Sequence, residues 1–323
     1  MSVIIKDHLE KEPHMMRETL CNTLMALAEV DERIVALDAD LMSSSGMKPF
    51  RQKYPDRFIN CGVAEANMVG VAAGLSATGK IPFAHSFGTF ASRRVCDQLF
   101  MSAAYAKLNV RLIGTDPGVT AAYNGGTHMP LEDMAVLRAL PEVTLIEPVD
   151  SVQLEALLPQ LVDQYGVFYI RLMRKNAVSV FAPGSMFTIG EGVTLRDGRD
   201  VTLVASGILV AEAFKAAKLL DDKGISARVV NLFTWKPLDT KLVEACARET
   251  GAIVTCENHN IIGGLGGAVC EAVCESYPVP VERVGVQDEF GEVGPEDYLR
   301  ARFHLNDVDI VAAAERAIAR KPR

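Results

Sequence analysis

Two doubly wound α/β units in one chain are the fold class that this sequence predicts, and three observations predict it. Short apolar runs of about five residues alternate with helix-length segments along most of the chain, the pattern of parallel sheets covered on both faces. The alternation breaks once, between Asn176 and Asp200, where Pro183-Gly184, Gly190, Gly192 and Asp197-Gly198 leave no room for a helix. The 323 residues are long for one core and suit two domains of roughly 150 residues each. The boundary is placed inside the broken segment, giving domains over residues 1–185 and 186–323.

Each element follows from local pattern. Helical periodicity runs over 15–30 and precedes a buried strand at 33–38. A strand at 58–61 leads into a helix that begins near Glu65. Residues 81–85 read as a strand, 92–107 as a helix and 110–114 as a strand. After a long loop, 130–139 is helical, 144–146 extended, 152–164 helical and 167–172 the last strand of the domain. The second domain restarts with strands at 201–205, 227–230, 252–256 and 281–286. Helices at 208–220, 240–249, 265–276 and 308–320 alternate with them, so a smaller sheet of four or five strands, mostly parallel, is expected. The run Gly263-Gly264-Leu265-Gly266-Gly267 fits a tight strand-to-helix turn, because no acidic residue follows at the interval a dinucleotide loop requires.

Composition excludes several functions. A net charge of −8 and a pI near 5.4 argue against a nucleic-acid or anionic-membrane surface. No run of about 18 apolar residues and no signal-peptide pattern is present. The seven cysteines (Cys21, Cys61, Cys96, Cys246, Cys256, Cys270 and Cys274) form no Cys-x-x-Cys pair, so free thiols and a reducing, cytoplasmic location are expected.

In open α/β sheets ligands gather beyond the carboxyl ends of the strands. That rule selects the loops 38–46, 61–65, 85–90, 115–128 and 171–176. Glu65 is the oddest residue among them. It leads the segment Ala66-Asn67-Met68-Val69-Gly70-Val71-Ala72-Ala73-Gly74-Leu75, which is apolar or small on nearly every face, and no Arg, Lys or His lies between Arg57 and Lys80. A buried carboxylate is costly unless paired or protonated, so Glu65 either caps its helix or bonds a ligand.

Three segments carry a family resemblance. Cys61-Gly62-Val63-Ala64-Glu65, Phe87-Gly88-Thr89-Phe90 and Gly125-Gly126-Thr127-His128-Met129-Pro130 resemble, in order, the Gly-x-x-Glu, aromatic-pair and Gly-x-Thr-His-Gln-Pro segments of the transketolase family. The resemblance runs from about Arg17 through Asn176 and, more loosely, over the second domain. It implies a pyrimidine-binding domain followed by a transketolase C-terminal-type domain. It also implies thiamine diphosphate as cofactor, with Glu65 hydrogen-bonded to the pyrimidine N1′ and sharing a proton with it.

The same resemblance assigns roles to further residues. Phe87 and Phe90 offer faces to the aminopyrimidine, with Phe90 the favoured stacking partner and core packing the rival reading. His128 faces the reacting carbonyl, where it donates to the developing alkoxide. Asp40 lies near the thiazolium, with loop capping as the alternative. Arg17, Ser44 and Arg174, in Arg174-Lys175-Asn176, correspond to the set that binds a sugar phosphate; for Arg17 an ion pair with Glu18 or Glu29 is the alternative. Two departures concern the substrate. Thr115 stands where transketolases often carry His, and Asn124 where they carry Asp, so an unusual donor or acceptor is expected at these two substrate positions.

No Gly-Asp-Gly…Asn segment is found to hold a diphosphate and its metal, and no metal ligand is assigned to this chain. The resemblance therefore implies the C-terminal half of a split, two-subunit transketolase. An N-terminal-half partner subunit would carry the diphosphate with Mg²⁺ or Ca²⁺, in a heterotetramer built on a dimer. The expected activity is transfer of a two-carbon ketol group between phosphorylated sugars. The alternatives are a 1-deoxyxylulose-5-phosphate-synthase-like subunit, a 2-oxo-acid dehydrogenase beta-type subunit and a non-catalytic assembly subunit.

Overall fold

A computed structural model describes residues 3–322. In chain order the strands are β1 (Ile5–Lys11), β2 (Ile34–Asp38), β3 (Phe58–Asn60), β4 (Ile81–Phe87), β5 (Val110–Thr115), β6 (Val143–Ile146) and β7 (Val167–Leu172). β8 (Val178–Phe181), β9 (Val193–Arg196), β10 (Val201–Ala205), β11 (Ala227–Asn231), β12 (Thr234–Lys236), β13 (Ile253–Asn260) and β14 (Val281–Val286) follow.

Seven strands form one sheet in the order β12-β6-β7-β5-β4-β2-β3. Its ladders are parallel except at the β12 edge. Alternate residues of β2 serve opposite faces, as the strand period demands. Ile34 and Ala36 join the core under the helix Met16–Val30, whereas Val35 and Leu37 join the core under the helix Glu65–Ala77. Both faces are thus covered, which is why β2 is buried at every position. A second sheet of five strands has the order β14-β13-β10-β11-β9, parallel except for β9. This is the two-domain, mainly parallel α/β architecture that the alternation predicts.

Several elements differ from the sequence expectation. The stretch 92–107 is not one α-helix: a 3-10 turn (Arg93–Val95) and one α turn (Cys96–Gln98) precede a π-helix, Leu99–Ala104. Its wider pitch is visible in the bond from Tyr105 N–H to the Phe100 carbonyl at 2.8 Å. The helix expected over 130–139 is shorter, Asp133–Arg138. The broken segment holds two strands, β8 and β9. β8 pairs antiparallel with β1, a charged, mostly exposed strand whose pattern carries no apolar signal. β12 carries as little signal: three residues suffice to pair antiparallel with β6, so the second half of the chain completes the first sheet.

All seven cysteines are free, and Cys274 is exposed. Among the described residues no helix is long and apolar enough to cross a membrane.

Candidate active site

The residues singled out from the sequence lie at or just beyond the carboxyl ends of strands of the first sheet. Glu65 opens its helix immediately after the β3 loop and is buried, with 1% of its surface exposed. It does not cap the helix. Its Oε1 accepts from Ser86 Oγ at 3.0 Å, and its Oε2 accepts from Arg94 Nη1 at 2.6 Å. The partner missing from its own segment is supplied by a residue 29 positions away.

Phe87, at the end of β4, and Phe90, in the turn beyond it, gather with His128 into a three-ring cluster. The Phe90–His128 centroids are 5.2 Å apart, Phe87–His128 6.0 Å and Phe87–Phe90 6.3 Å, all edge-to-face. The Arg94 guanidinium lies over the Phe90 ring at 4.0 Å. His128 Nδ1 sits 2.9 Å from Thr127 Oγ1, leaving Nε2 as the nitrogen without a partner from this pair.

Arg174 borders the ring cluster at Phe87, and Arg17 lies against Arg174. Arg174 bonds both Asp116 oxygens through Nε at 2.8 Å, and its guanidinium lies 5.3 Å from the Phe87 centroid. Asp116 is buried and adopts the left-handed region at φ 59°. Arg17 Nη1 donates to the Ser44 carbonyl at 3.2 Å, and its main-chain N–H meets the Arg174 carbonyl at 3.4 Å. Arg17 therefore makes neither alternative ion pair: Glu29 binds Lys53, and Glu18 accepts from the Met15 N–H. Ser44 enters through its carbonyl, whereas the neighbouring Ser45 hydroxyl donates to Asp38 at 2.8 Å.

Three other candidates sit differently. Asp40, at φ 62°, is exposed and accepts from Asn60 Nδ2 at 2.8 Å, tying the loop after β2 to the end of β3. Thr115 is fully buried, and its hydroxyl donates to the Ser86 carbonyl at 3.4 Å. Asn124 is exposed at the end of the turn Gly118–Asn124.

Sequence reasoning missed Ser86, Arg94 and His85. Arg94 lies four residues beyond Phe90 in the pair Arg93-Arg94, the signal that could have found it. His85 is fully buried between Asp38, 3.8 Å away, and the Arg174 side. Neither of its ring nitrogens has a hydrogen-bond partner, and burial, then Arg174, pushes its pKa down to about 3. It is a neutral imidazole in the wall of the site.

The second domain buttresses the His128 loop from behind. Asn258, near the end of β13, accepts from the Val119 N–H at 2.9 Å and donates to the Pro117 carbonyl at 2.8 Å. Asn260 N–H donates to the Leu131 carbonyl at 2.7 Å. The loop 287–294 presses Gly291 against Gly126, where a Cβ on Gly126 would lie 2.1 Å from the Gly291 carbonyl oxygen. The glycine run expected to be a turn is one: Glu257 accepts from the Leu265 N–H at 2.7 Å and the Gly266 N–H at 2.9 Å, at the start of the helix Leu265–Ser276.

A buried carboxylate thus stands beside an aromatic pair and a histidine at the strand ends of a parallel α/β domain. The family model of the transketolase pyrimidine-binding domain matches residues 12–178, and that of the transketolase C-terminal domain matches 190–310. The chain belongs to the transketolase family. It is 54% identical over 310 residues to the 6-deoxy-6-sulfo-D-fructose transketolase subunit SqwH of Clostridium sp. (strain MSTE9), covering 96% of each. It is 36% identical to one subunit of the apulose-4-phosphate transketolase of Phocaeicola vulgatus, over 92% of this chain and 96% of that one. Among solved structures, a split gene transketolase described as an inactive beta4 tetramer superimposes with a TM-score of 0.90 at 43% identity, covering 96% of this chain and 100% of the other.

Proposed function

We propose that this chain is the C-terminal-half subunit of a split transketolase that transfers a two-carbon ketol unit between anionic sugars. The observation that carries the reading is Glu65, a buried carboxylate facing an aromatic slot formed by Phe90 and closed by His128. The residues present fit an aminopyrimidine: a planar donor already occupies the space between the Phe90 face and the Glu65 oxygen. Thiamine diphosphate, when bound, supplies the nucleophilic carbon that accepts the ketol unit. Glu65 would hold the proton at the pyrimidine N1′, and Phe90 would orient the ring. His128 would donate a hydrogen bond to the donor's carbonyl oxygen as charge develops there.

Among the described residues no group of three or more His, Cys, Asp or Glu is placed to hold a metal ion. The diphosphate and its Mg²⁺ or Ca²⁺ are assigned to the N-terminal-half partner subunit, a reading supported by the subunit names of the relatives. The assembly is read as a heterotetramer, cytoplasmic in location.

Arg17 and Arg174 would grip the terminal anion of the sugar. One of the two is already half neutralised by Asp116, which suits a monoanion such as a sulfonate better than a phosphate dianion. The 54% identity to a sulfofructose transketolase subunit points the same way. The donor proposed is therefore 6-deoxy-6-sulfofructose, with a phosphorylated aldose as acceptor. The test is co-expression with the partner subunit and assay against 6-deoxy-6-sulfofructose, fructose 6-phosphate and xylulose 5-phosphate. Turnover of the sulfonated donor that vanishes in Glu65→Gln while the complex still assembles supports the reading. Unchanged turnover in Glu65→Gln removes it.

A further inference from the structure

We propose that Arg94 is a placeholder for the cofactor's aminopyrimidine ring: in the free chain its guanidinium fills the slot between Phe90 and Glu65, and it must leave when the cofactor enters. The inference rests on the thiamine reading above.

Two contacts define how an aminopyrimidine would sit, one across the face of an aromatic ring and one to a buried carboxylate. Arg94 makes both. Its guanidinium is planar, stacks 4.0 Å from the Phe90 centroid and donates from Nη1 to Glu65 Oε2 at 2.6 Å. A guanidinium and a protonated aminopyrimidine share their relevant chemistry: a flat, delocalised face and an N–H in the plane.

The pair is asymmetric in a way that suits displacement. The Glu65 side chain is 2% exposed and fixed by Ser86 on the rigid strand β4, while that of Arg94 is 44% exposed at the rim. Glu65 stays put and Arg94 can swing into solvent. Arg94 also lies in the 3-10 turn Arg93–Val95, just ahead of the α turn and the π-helix, where backbone pitch changes twice within about twelve residues. The neighbouring Arg93 does not compete for Glu65, because it pairs with Glu132 at 2.8 Å.

The arrangement answers a problem of the isolated chain. Without Arg94, Glu65 would be a buried carboxylate held by a single hydroxyl, which is costly. With it, the slot is filled, and the cofactor's pyrimidine must compete for both faces of the site.

The experiment titrates thiamine diphosphate by calorimetry into the full chain assembled with its partner subunit, as wild type, Arg94→Met, Arg94→Gln and Glu65→Gln. A competing state populated about 90% of the time weakens apparent affinity about tenfold, so Arg94→Met and Arg94→Gln are expected to bind about tenfold more tightly. Without cofactor the same variants should melt earlier than wild type, and saturating cofactor should erase the difference. A residue that served packing alone would lower the melting temperature without tightening the cofactor. In the free chain, saturation-transfer NMR with 4-amino-5-hydroxymethyl-2-methylpyrimidine should give a signal for Arg94→Met and none for wild type. Unchanged or weaker affinity in both Arg94 variants overturns the placeholder. If Glu65→Gln instead binds as tightly as wild type, the thiamine reading itself has failed.

Discussion

Arg171 donates from Nη2 to the main-chain carbonyl of Asn258 at 2.9 Å, joining β7 of the first sheet to the carboxyl end of β13 in the second. The same guanidinium bonds Asp133 through Nε at 2.9 Å and Glu147 through Nη1 at 2.6 Å, and Tyr169 completes the cluster through Asp133. One cation with two carboxylates, all buried, ties together the strand ends, the helix Asp133–Arg138 and the loop that carries His128. The second domain is thus a support for the loop that carries His128.

Arg171→Met leaves Asp133 and Glu147 buried with no cation between them. Breaking such a cluster is expected to cost at least about 3 kcal/mol, read as a shift in the urea midpoint. Arg171→Lys should recover little, since an ammonium cannot span four acceptors in a fixed plane. A midpoint within error of wild type in either variant contradicts the cluster's role.

Stability should follow pH through Glu257 and His259. Burial raises Glu257 from its ordinary 4.5 to about 8, against the opposing bonds from Gly266 and Leu265. The folded state therefore holds a proton that the unfolded state releases, and this stabilisation is present below about 4.5 and lost as pH rises through about 8. Burial pushes His259 from 6.5 down to about 4, so its neutral folded form costs stability as pH falls from 6.5 toward 4. The two slopes cancel between 4.5 and 6.5, leaving a plateau followed by a decline toward pH 8. Thermal melts across this range should show that shape, and Glu257→Gln should abolish the alkaline decline.

Gly126→Ala places a methyl 2.1 Å from the Gly291 carbonyl, backbone against backbone, so the loop carrying His128 must move. A displacement of about 1 Å at a catalytic group costs on the order of 100-fold in kcat. Gly267→Ala, whose Cβ would meet only the Arg138 guanidinium at 3.6 Å, is the control expected to keep full activity. Equal activities of the two variants in the assembled enzyme would remove the buttress from the mechanism.

Asp116→Asn removes the charge that offsets Arg174. The ratio of kcat/KM for a phosphorylated over a sulfonated donor is expected to rise about tenfold, equivalent to ~1.4 kcal/mol. A ratio that stays constant while both values fall would mean that Asp116 only positions the arginine.

Legibility in the sequence tracked how local each determinant was. β2, β5 and β7 are buried at every position because both faces are covered, so their mainly apolar runs were plain. Glu65 stood out as a lone carboxylate heading an apolar segment, whereas Phe90 and His128 were marked by the family resemblance of the segments that carry them. Arg94 was hidden, since its tie to Glu65 spans 29 residues and crosses between elements. The π-helix was hidden as well: the apolar content of 99–104 suits either pitch, and only the packing around it decides. Thr115 was legible as a departure from the family pattern but not as a buried donor to Ser86, because burial at a strand end depends on which loops fold over it.

β12 bears on how the protein can be dissected. Its three residues lie in the second half of the chain yet cover the rim of β6 in the first sheet, from Thr234 to Lys236. A fragment ending near residue 185 would keep Glu65 and Phe90, proposed for the cofactor, together with His128 and Arg174, proposed for the sugar. It would also present β6 with unpaired main-chain donors and acceptors, an open template for recruiting further strands. Such a fragment should aggregate on expression rather than yield a minimal cofactor-binding module, and fusing a short antiparallel strand onto its end should restore solubility.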